Sequence, residues 1–387
     1  MRILHVGAVH SPRAVDGVSG MVWLTAAEQA RLCEKVTLLL DAAPDDQAIA
    51  LANESGLTLE HVQSGRLAYD SAAVDRIINS YDLVHMHSVF VPRHATLGRR
   101  LARARIPYVI TPHGGLSKDV LQRNRARKWV YSLIVERPRF AAAEAISVVV
   151  PGEEADVRAY IGEYDRPIEW IPNPVAHSKL DAHQWRHRAG SPPRVAFLGR
   201  FDVLHKGLDL LWDIARRLPA VQFDLYGTPD VRTNEWFARL RGQNLTNVHV
   251  HEPIYGDEKI RLLAEASMYL QTSRWEGFPL SIAEAMFIGL PVAVAERLNI
   301  GKQFKQHDLG VTFPADPDLA ALAITSALES PHRLADWSQR ARAFAEQNFT
   351  ARSVARRFID LYRGVLRSQP VDEVLADETA AVGVIRK

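Results

Sequence analysis

The alternation of short strand-like runs with helical runs is the feature that most restricts the possible folds of this chain. In the first half the strand-like runs are 3–9, 36–40, 83–87, 108–111, 145–150 and 168–172. They recur at 194–199, 221–226, 248–251, 268–272 and 291–295, with helices predicted to begin at Lys206, Val231, Asp257, Ser281 and Asp316. Strands that alternate with helices build parallel sheets with both faces covered. The sequence therefore predicts an α/β protein with doubly wound, Rossmann-like sheets.

A proline-rich segment interrupts this alternation once. Four prolines bracket the segment: Pro172, Pro174, Pro192 and Pro193. Proline continues neither a helix nor a central strand, so the segment is predicted to be a hinge between two domains that face each other across a cleft. The predicted organisation is a first domain at 1–175, a linker at 176–193, a second domain at 194–351 and a mobile, acidic tail at 368–387.

Composition agrees with a two-domain globular protein. The chain has 387 residues, of which 47% are hydrophobic and 24% charged, and this length suits two cores better than one. The single cysteine, Cys33, excludes an internal disulfide and fits a reducing compartment. No apolar run approaches the roughly 18 residues of a spanning helix, and no signal peptide precedes the first strand. These features predict a cytoplasmic protein.

The stretch 273–286 combines two acids with a turn and a predicted helix. Glu276 and Glu284 flank the turn at 277–280, and Ser281 with Glu284 has the spacing of a capping box. Ser281 is therefore predicted to begin the helix. Amides at a helix start attract phosphate, and carboxylates accept hydrogen bonds from hydroxyls. The stretch suits a phosphorylated, polyhydroxylated ligand, although spacing alone favours a simple cap at Glu284 and a solvated acid at Glu276.

A second motif places two cations at the rim of the second predicted sheet. A strand ends at Gly199, Arg200 follows it, and Lys206-Gly207 opens a predicted helix. Two such cations can bind both phosphates of a diphosphate, whereas a single lysine would make only one contact. Exposed surface charges explain the pattern equally well. In the first domain, three loops follow strands and are predicted to share one sheet edge: 16–20, 111–115 and 151–152.

Together these motifs resemble a known family. They are Gly199-Arg200 with Lys206-Gly207, then Glu276-Gly-Phe-Pro-Leu-Ser-Ile-Ala-Glu284, then Gly289-Leu-Pro-Val292. Their order and spacing are similar to those of the retaining glycosyltransferases of family 4, which have the GT-B fold. The resemblance implies two Rossmann-like domains and a C-terminal helix at 352–367 that crosses back to the first domain.

The resemblance also implies roles for single residues. His113 is expected beside the transferred sugar, Glu276 on that sugar, and Glu284 on the ribose hydroxyls. The expected catalytic residues are His113, Glu276, Arg200 and Lys206. The expected donor-binding residues are Gly17, Arg200, Lys206, Glu276, Gly277, Phe278, Pro279, Leu280, Ser281 and Glu284. Cations and helix amides would stabilise the departing nucleoside diphosphate, and the family is thought to use front-face attack.

Neither a permanently bound cofactor nor a divalent metal is expected to be required, because the nucleotide diphosphate sugar is a co-substrate. We find no convincing aspartate-x-aspartate metal motif. His85 and His87 share one face of a predicted strand, and His183 and His187 are a helical turn apart in sequence. Neither pair has a third ligand at a suitable spacing, so structural or surface roles are predicted for both pairs.

The region from Arg93 to Arg139 is strongly basic. It holds twelve Lys or Arg and two acids, a balance of +10, whereas the whole chain carries +2. The cations predicted to form an acceptor or membrane patch are Lys118, Arg123, Arg125, Arg127 and Lys128. Followed by apolar residues from Trp129, they suit a helix on an anionic membrane, or an ordinary helix whose apolar side faces the core. No nucleic-acid recognition motif accompanies them, so nucleic acid is not an expected partner.

The sequence thus predicts a cytoplasmic transferase, placed at the inner face of a membrane. It would move a hexose from a nucleotide diphosphate sugar to a hydroxyl of a cell-envelope glycan or lipid-linked saccharide precursor. Three alternatives stay open: transfer to a small soluble acceptor, epimerisation of a sugar nucleotide by a GT-B-like enzyme, and binding of a nucleotide sugar by a subunit without catalytic activity.

Overall fold

A computed structural model gives the structure of the protein. It describes residues 1–7, 17–32, 34–62, 65, 67–117, 120–121, 129–176, 180, 183–187, 192–229, 233, 235–237 and 245–368. The predicted tail beyond Ser368 and the helix predicted to begin at Val231 lie outside these residues. Among the described residues, no helix combines the length and the apolar character needed to cross a bilayer.

The first domain is built on a seven-stranded parallel sheet in the order β3-β2-β1-β4-β5-β6-β7. Its strands are β1 Arg2–Val6, β2 Lys35–Leu40, β3 Thr58–His61, β4 Leu83–His87, β5 Tyr108–Thr111, β6 Ala145–Val148 and β7 Ile168–Trp170. Every residue of β4, β5 and β6 is buried, as expected for central strands with both faces covered. The helices of this domain are α1 Gly17–Arg31, α2 Asp46–Ser55, α3 Ser71–Ser80, α4 Pro92–Arg103, a short π-helix Ser132–Glu136, α5 Arg137–Ala141 and α6 Glu153–Ile161.

The second domain is built on a six-stranded parallel sheet in the order β10-β9-β8-β11-β12-β13. Its strands are β8 Arg194–Leu198, β9 Gln222–Tyr226, β10 Val248–His251, β11 Met268–Gln271, β12 Val292–Ala295 and β13 Val311–Phe313. Its helices are α7 Val203–Lys206, α8 Leu208–Arg217, α9 Gly256–Glu265, α10 Leu280–Ile288, α11 Gly301–His307, α12 Pro317–Leu328 and α13 Pro331–Asn348, and α14 Ala351–Arg367 follows them.

The last helix, α14, crosses back to the first domain. Thr350 caps the helix, because its side chain accepts a hydrogen bond from the amide of Ser353 at 3.1 Å. The buried face of α14 joins the cluster formed by α1, β1 and β2, and its members there are Val354, Phe358, Leu361, Tyr362 and Val365. The crossing helix implied by the resemblance is therefore present.

The structure corrects several predicted element boundaries. The sequence missed two short strands at sheet edges, β3 and β13, where burial is incomplete and the apolar pattern is weak. Lys206 does not open a long helix. It ends the four-residue α7, and Gly207, at φ +64°, lies in the left-handed region and separates α7 from α8. Asp316 caps α12 through the amides of Asp318 and Leu319, both at 2.9 Å.

The carboxyl ends of the two sheets face each other, and the two domains touch there. A Cβ atom on Gly114, which follows β5, would lie 2.7 Å from the Cα atom of Gly277, which follows β11. Gly114 also has φ +76°, so both its backbone conformation and its position require glycine. This approach brings the His113 loop of the first domain to the Glu276 loop of the second.

Candidate active site

A cavity of about 490 Å³ lies at the carboxyl ends of β8, β9 and β11. Ligands of doubly wound sheets bind at this edge. The cavity gathers most of the second-domain residues that the sequence singles out, and its lining includes Arg200, Lys206, Glu276, Phe278, Pro279, Leu280, Ser281 and Glu284. Residues that are far apart in sequence, from Leu198 to Glu284, thus meet around one volume large enough for a small ligand.

Glu276 is held on one side of its carboxylate. Its Oε1 atom accepts hydrogen bonds from Lys206 Nζ at 2.6 Å, Ser273 Oγ at 2.6 Å and Gln271 Nε2 at 3.0 Å. Among the described residues no hydrogen bond reaches Oε2, and His205 Nε2 lies 4.0 Å from it. The side chain is only 12% exposed, so Glu276 is not the solvated acid of the simpler alternative. Oε2 remains an acceptor that a ligand hydroxyl can reach.

The two cations of the second motif differ in their contacts. Lys206 is bound to Glu276, whereas Arg200 is exposed and makes no ion pair with any described residue. Both line the cavity, and the Cβ position of Gly199 is 3.4 Å from Lys206 Cε. A side chain at residue 199 would crowd Lys206. Lys259 lines the same cavity and pairs with Glu284, so the site offers an anionic ligand three cations, of which Lys206 and Lys259 are paired with acids.

The predicted capping box of α10 is wrong. The helix begins at Leu280 rather than Ser281, with Pro279 at the cap position and no side-chain cap. The Ser281 hydroxyl instead lies within hydrogen-bonding distance of buried Tyr269 Oη, at 2.7 Å. Glu284 pairs with Lys259 Nζ at 2.6 Å. Its carboxylate thus faces the cavity rather than the helix amides.

The first domain contributes the loop that follows β5. His113 has φ +52°, an uncommon backbone conformation, and its Nε2 atom lies 3.1 Å from Nδ1 of His87. The amide of Gly114 donates to Glu153 Oε1 at 2.6 Å, and the amide of Val149 donates to Glu153 Oε2 at 2.9 Å. Glu153 therefore clamps the loop from the start of α6.

Burial shifts the pKa values of both ionisable groups in this loop region. It lowers the pKa of His113 to about 4, although Asn173 partly opposes the fall. It raises the pKa of Glu153 to about 7, although the amides of Val149 and Gly114 favour the charged form. His113 is consequently a neutral imidazole at neutral pH.

Comparison with known proteins places this geometry in a family. Residues 15–179 match the model of Glycosyltransferase Family 4, and residues 181–344 match that of Glycosyl transferases group 1. The two models follow one another along the chain and together cover all strands of both sheets except β1. The chain belongs to the family 4, group 1 glycosyltransferases.

Individual relatives agree with this assignment. An MMP alpha-(1->4)-mannosyltransferase of Mycolicibacterium hassiacum is 25% identical to this chain over 280 residues. The matched region covers 68% of this chain and 66% of that protein, so the chain spans just under two thirds of that protein's length. Sucrose-phosphate synthase of Thermosynechococcus elongatus has a TM-score of 0.70 at 19% identity, covering 95% of this chain and 100% of the other. The structure of Anabaena HepE in complex with UDP and glucose has a TM-score of 0.66 at 17% identity, and the match covers 94% of this chain and 100% of the other. The predicted GT-B fold is confirmed.

Some of the residues predicted to act in this glycosyltransferase lie outside the described residues. They are the five cations of the basic patch: Lys118, Arg123, Arg125, Arg127 and Lys128. Gly17 is described as the first residue of α1, but residues 8–16 of the loop before it are not. The roles predicted for these residues stay predictions.

The apolar residues that follow the basic stretch are exposed. Trp129 is 62% exposed and Ile134 70%, and Val130 and Leu133 are at least 40% exposed. We call these four residues the apolar patch. The alternative of an ordinary helix with its apolar side in the core does not hold for them. Exposed large apolar side chains near one another are typical of interaction surfaces, and the predicted membrane contact stays a prediction.

The histidines of this glycosyltransferase form a cluster that spacing alone does not reveal. His5 of β1 lies beside His85 and His87 of β4, and ligand atoms of the three lie within 4.8 Å of one another. Every ring nitrogen of the three is already within hydrogen-bonding distance of a protein partner. A metal would have to displace those partners. His183 and His187 are exposed, and the described residues around them are not helical, so they are not one helical turn apart.

Sequence reasoning also missed the residues that hold the site in place. Gln271 and Ser273 bind Glu276, Lys259 binds Glu284, and Glu153 binds the His113 loop. The only signal was the polar run Gln271-Thr272-Ser273 at the end of a buried strand. Buried polar side chains need partners, which here are the groups of the site.

Proposed function

We propose that this glycosyltransferase transfers a hexose, with retention of configuration, from a nucleotide diphosphate sugar to a hydroxyl of a cell-envelope glycan or lipid-linked saccharide precursor. One observation supports the proposal: two carboxylates, three cations and the start of α10 line one cavity, and the His113 loop of the other domain approaches Gly277, next to Glu276. Hydroxyl acceptors and phosphate donors are the groups that a sugar nucleotide requires.

The diphosphate would lie against Arg200, Lys206 and the first amides of α10. When the bond from the anomeric carbon to phosphate breaks, negative charge grows on the nucleoside diphosphate. Fixed cations and a helix start stabilise that charge without rearranging, which lowers the barrier. Since these groups already supply positive charge, the proposal does not require a divalent metal.

The two acids would divide the hydroxyls of the donor between them. Glu284, one turn into α10, would accept from the ribose once that ligand displaces Lys259. Glu276 would accept a sugar hydroxyl through Oε2, because Oε1 is filled by three protein donors. With Glu276 fixed in this role, the departing phosphate would take the acceptor's proton in a front-face attack.

The acceptor side of the proposal rests on the apolar patch and the preceding cations. Large apolar side chains beside Lys and Arg are typical of segments that lie on anionic membranes. A lipid-linked acceptor would be presented at such a surface, and we place the enzyme at the inner face of the membrane. Transfer to a small soluble acceptor would not require this patch.

A mannosyl donor is the first candidate to test, because the matched Mycolicibacterium hassiacum protein is named a mannosyltransferase. Thermal-shift and calorimetric titrations with UDP-, GDP-, ADP- and dTDP-sugars would identify the donor. Mass spectrometry would then follow the products with and without membrane extract. Transfer that depends on the extract supports the proposal. Isomerised donor without acceptor would indicate an epimerase, and binding without turnover would indicate a subunit that only binds.

A further inference from the structure

Three histidines connect the candidate active site to the interior of the first domain. His113 Nε2 lies 3.1 Å from His87 Nδ1, His87 Nε2 lies 3.0 Å from His5 Nδ1, and His5 Nε2 lies 2.8 Å from Gln29 Oε1. His5 is fully buried and His87 is 3% exposed. We call this chain of side chains the histidine relay. The roles assigned above use only its outermost member, His113.

The buried end of the relay determines the direction in which its hydrogen bonds are donated. The Gln29 carbonyl oxygen can only accept, so His5 Nε2 carries the proton. Neutral imidazole has one proton, so His5 Nδ1 accepts from His87, and His87 Nδ1 in turn accepts from His113. Burial lowers the pKa of His5 to about 4 and that of His87 well below its usual value, so the rings are neutral at pH 7.

Helix α14 contacts the nitrogen end of the Gln29 amide through Tyr362. Gln29 Nε2 donates to Tyr362 Oη at 3.5 Å, and Tyr362 Oη lies 2.6 Å from His85 Nδ1. His85 Nε2 lies 2.7 Å from Thr111 Oγ1, at the end of β5. If the amide were reversed, the nitrogen of Gln29 would face His5, and every proton in the relay would move to the opposite nitrogen.

At its outer end the relay leaves one atom unsatisfied. His113 Nδ1 is buried and makes no hydrogen bond of normal geometry to a described residue, although the Asn173 side chain lies close enough to favour the charged form of the ring. With Nε2 protonated, Nδ1 carries a lone pair, and a buried acceptor without a partner is unfavourable. His113 lies where the two domains touch, since a Cβ on Gly277 would meet the His113 carbonyl at 3.2 Å. A ligand hydroxyl between the domains would satisfy this atom.

We propose that Gln29, His5 and His87 are positioning residues that hold His113 as the neutral Nε2–H tautomer, so that Nδ1 accepts a hydrogen bond from a hydroxyl of the donor sugar. The inference rests on the proposed function, because it assigns a partner within the same site. A hydroxyl that donates to Nδ1 gains electron density on its oxygen. That density stabilises a sugar carrying positive charge, whereas an N–H or an imidazolium at the same place would oppose it.

The tautomers are measured on the wild-type protein. Long-range proton–nitrogen NMR correlations on protein labelled with ¹⁵N-histidine distinguish Nε2–H from Nδ1–H rings, with His113→Asn used for assignment. We expect His5, His87 and His113 all to be neutral Nε2–H rings at pH 7. An Nδ1–H ring at His113 would overturn the proposal. This measurement needs neither donor nor turnover, so it stands apart from any failure of the proposed function.

Two variants of Gln29 then test the consequence for catalysis. Gln29→Met removes the acceptor that orients His5, and Gln29→Glu retains one. Loss of one hydrogen bond corresponds to about a tenfold decrease, so we expect kcat of Gln29→Met to fall about tenfold while the Kd of UDP or GDP is unchanged. Gln29→Glu should restore the NMR signature and most of kcat. A changed tautomer with unchanged kcat, or equal losses in kcat and nucleotide affinity, would refute the role.

Discussion

Lys206 Nζ lies 2.6 Å from Glu276 Oε1. This pair joins the two motifs that the sequence presents 70 residues apart. It also sets up a competition, because the same ammonium group is the one proposed to meet the donor diphosphate. Gln271 and Ser273 donate to the same oxygen, so the carboxylate stays oriented when Lys206 turns to phosphate.

Replacing Lys206 tests the charge that stabilises the leaving group. A charge-assisted hydrogen bond contributes about 1.5–3 kcal/mol, so Lys206→Ala should lower kcat/KM by about 10- to 100-fold. Lys206→Arg keeps the positive charge, so its kcat/KM should fall less than that of Lys206→Ala. Steady-state kinetics with the donor identified by titration would measure both. Equal kcat/KM for Lys206→Ala and wild type would exclude the assignment.

Glu284 is expected to serve the ligand rather than the helix. Because it takes no part in a cap, Glu284→Ala should raise the Kd of the nucleoside diphosphate about tenfold and change the melting temperature little. Asp316→Ala is the matched control. Asp316 does cap a helix, and its loss should cost about 1 kcal/mol of stability without affecting nucleotide binding. Calorimetry and thermal melts would separate the two, and the reverse pattern would contradict this role.

Gly114 should be required for the approach of the two domains. Gly114→Ala would place a methyl group 2.7 Å from Gly277 Cα and would also strain a backbone with φ +76°. Gly56→Ala introduces the same positive φ of +76° with nothing within 4 Å. We expect kcat to fall more than tenfold for Gly114→Ala and to remain near wild type for Gly56→Ala. Similar kcat values for the two variants would show that the contact has no functional role.

The buried histidines should make the protein sensitive to acid. In the folded protein His5 and His113 have pKa values of about 4, whereas the reference value for histidine is 6.5. As the pH falls, the unfolded chain is therefore protonated at these residues before the folded chain is. Their contribution to stability is complete above pH 6.5 and is lost as the pH falls towards 4, at up to about 3 kcal/mol for each group.

Glu153 acts in the opposite direction. Its pKa of about 7 exceeds the reference of 4.5, so its contribution is complete below pH 4.5 and is lost as the pH rises towards 7. His85, His87 and His94 also have lowered pKa values, so the histidines should dominate. The free energy of unfolding, measured by urea titration at several pH values, should fall between pH 6.5 and 4. A flat profile would contradict the burial of these rings as neutral groups.

The apolar patch predicts binding to anionic vesicles. Trp129→Ser with Ile134→Ser should weaken sedimentation with vesicles of phosphatidylglycerol and phosphatidylcholine by at least about tenfold, because each large side chain contributes about 1.5–3 kcal/mol when buried. Leu319→Ser with Leu322→Ser is the control, since these residues are 53% and 67% exposed on α12 of the second domain. Equal binding by the two double variants would exclude the patch, and binding that is insensitive to salt would exclude the cations.

Much of this architecture could be predicted from the sequence because the alternation of strands and helices is strong. Central strands such as β4 and β5 are fully buried β-prone runs, and their bounds were predicted without error. Edge strands such as β3 bury a smaller fraction of their side chains, so their apolar pattern in the sequence is weaker. The start of α10 was misplaced because Ser281 finds a partner in Tyr269, and the sequence gives no indication of such a distant contact.

For the candidate site, too, the sequence indicated local features but not contacts between distant residues. Motifs local in sequence, such as the loop carrying Glu276, could be recognised. Contacts between distant elements could not, because the partners of a buried polar side chain depend on the packing of whole helices and strands. The pairs Lys206–Glu276 and Lys259–Glu284 belong to this class, and so does the histidine relay.

The release of nucleoside diphosphate from the identified donor tests the central claim most directly, because water can accept the sugar and no acceptor need be known. The measurement compares wild type with Glu276→Ala, with nucleotide affinity and melting temperature determined for both. We predict that Glu276→Ala binds the nucleoside diphosphate with nearly the wild-type Kd but releases it from the donor about 100-fold more slowly. Release at the wild-type rate by a folded, nucleotide-binding Glu276→Ala variant would contradict the account.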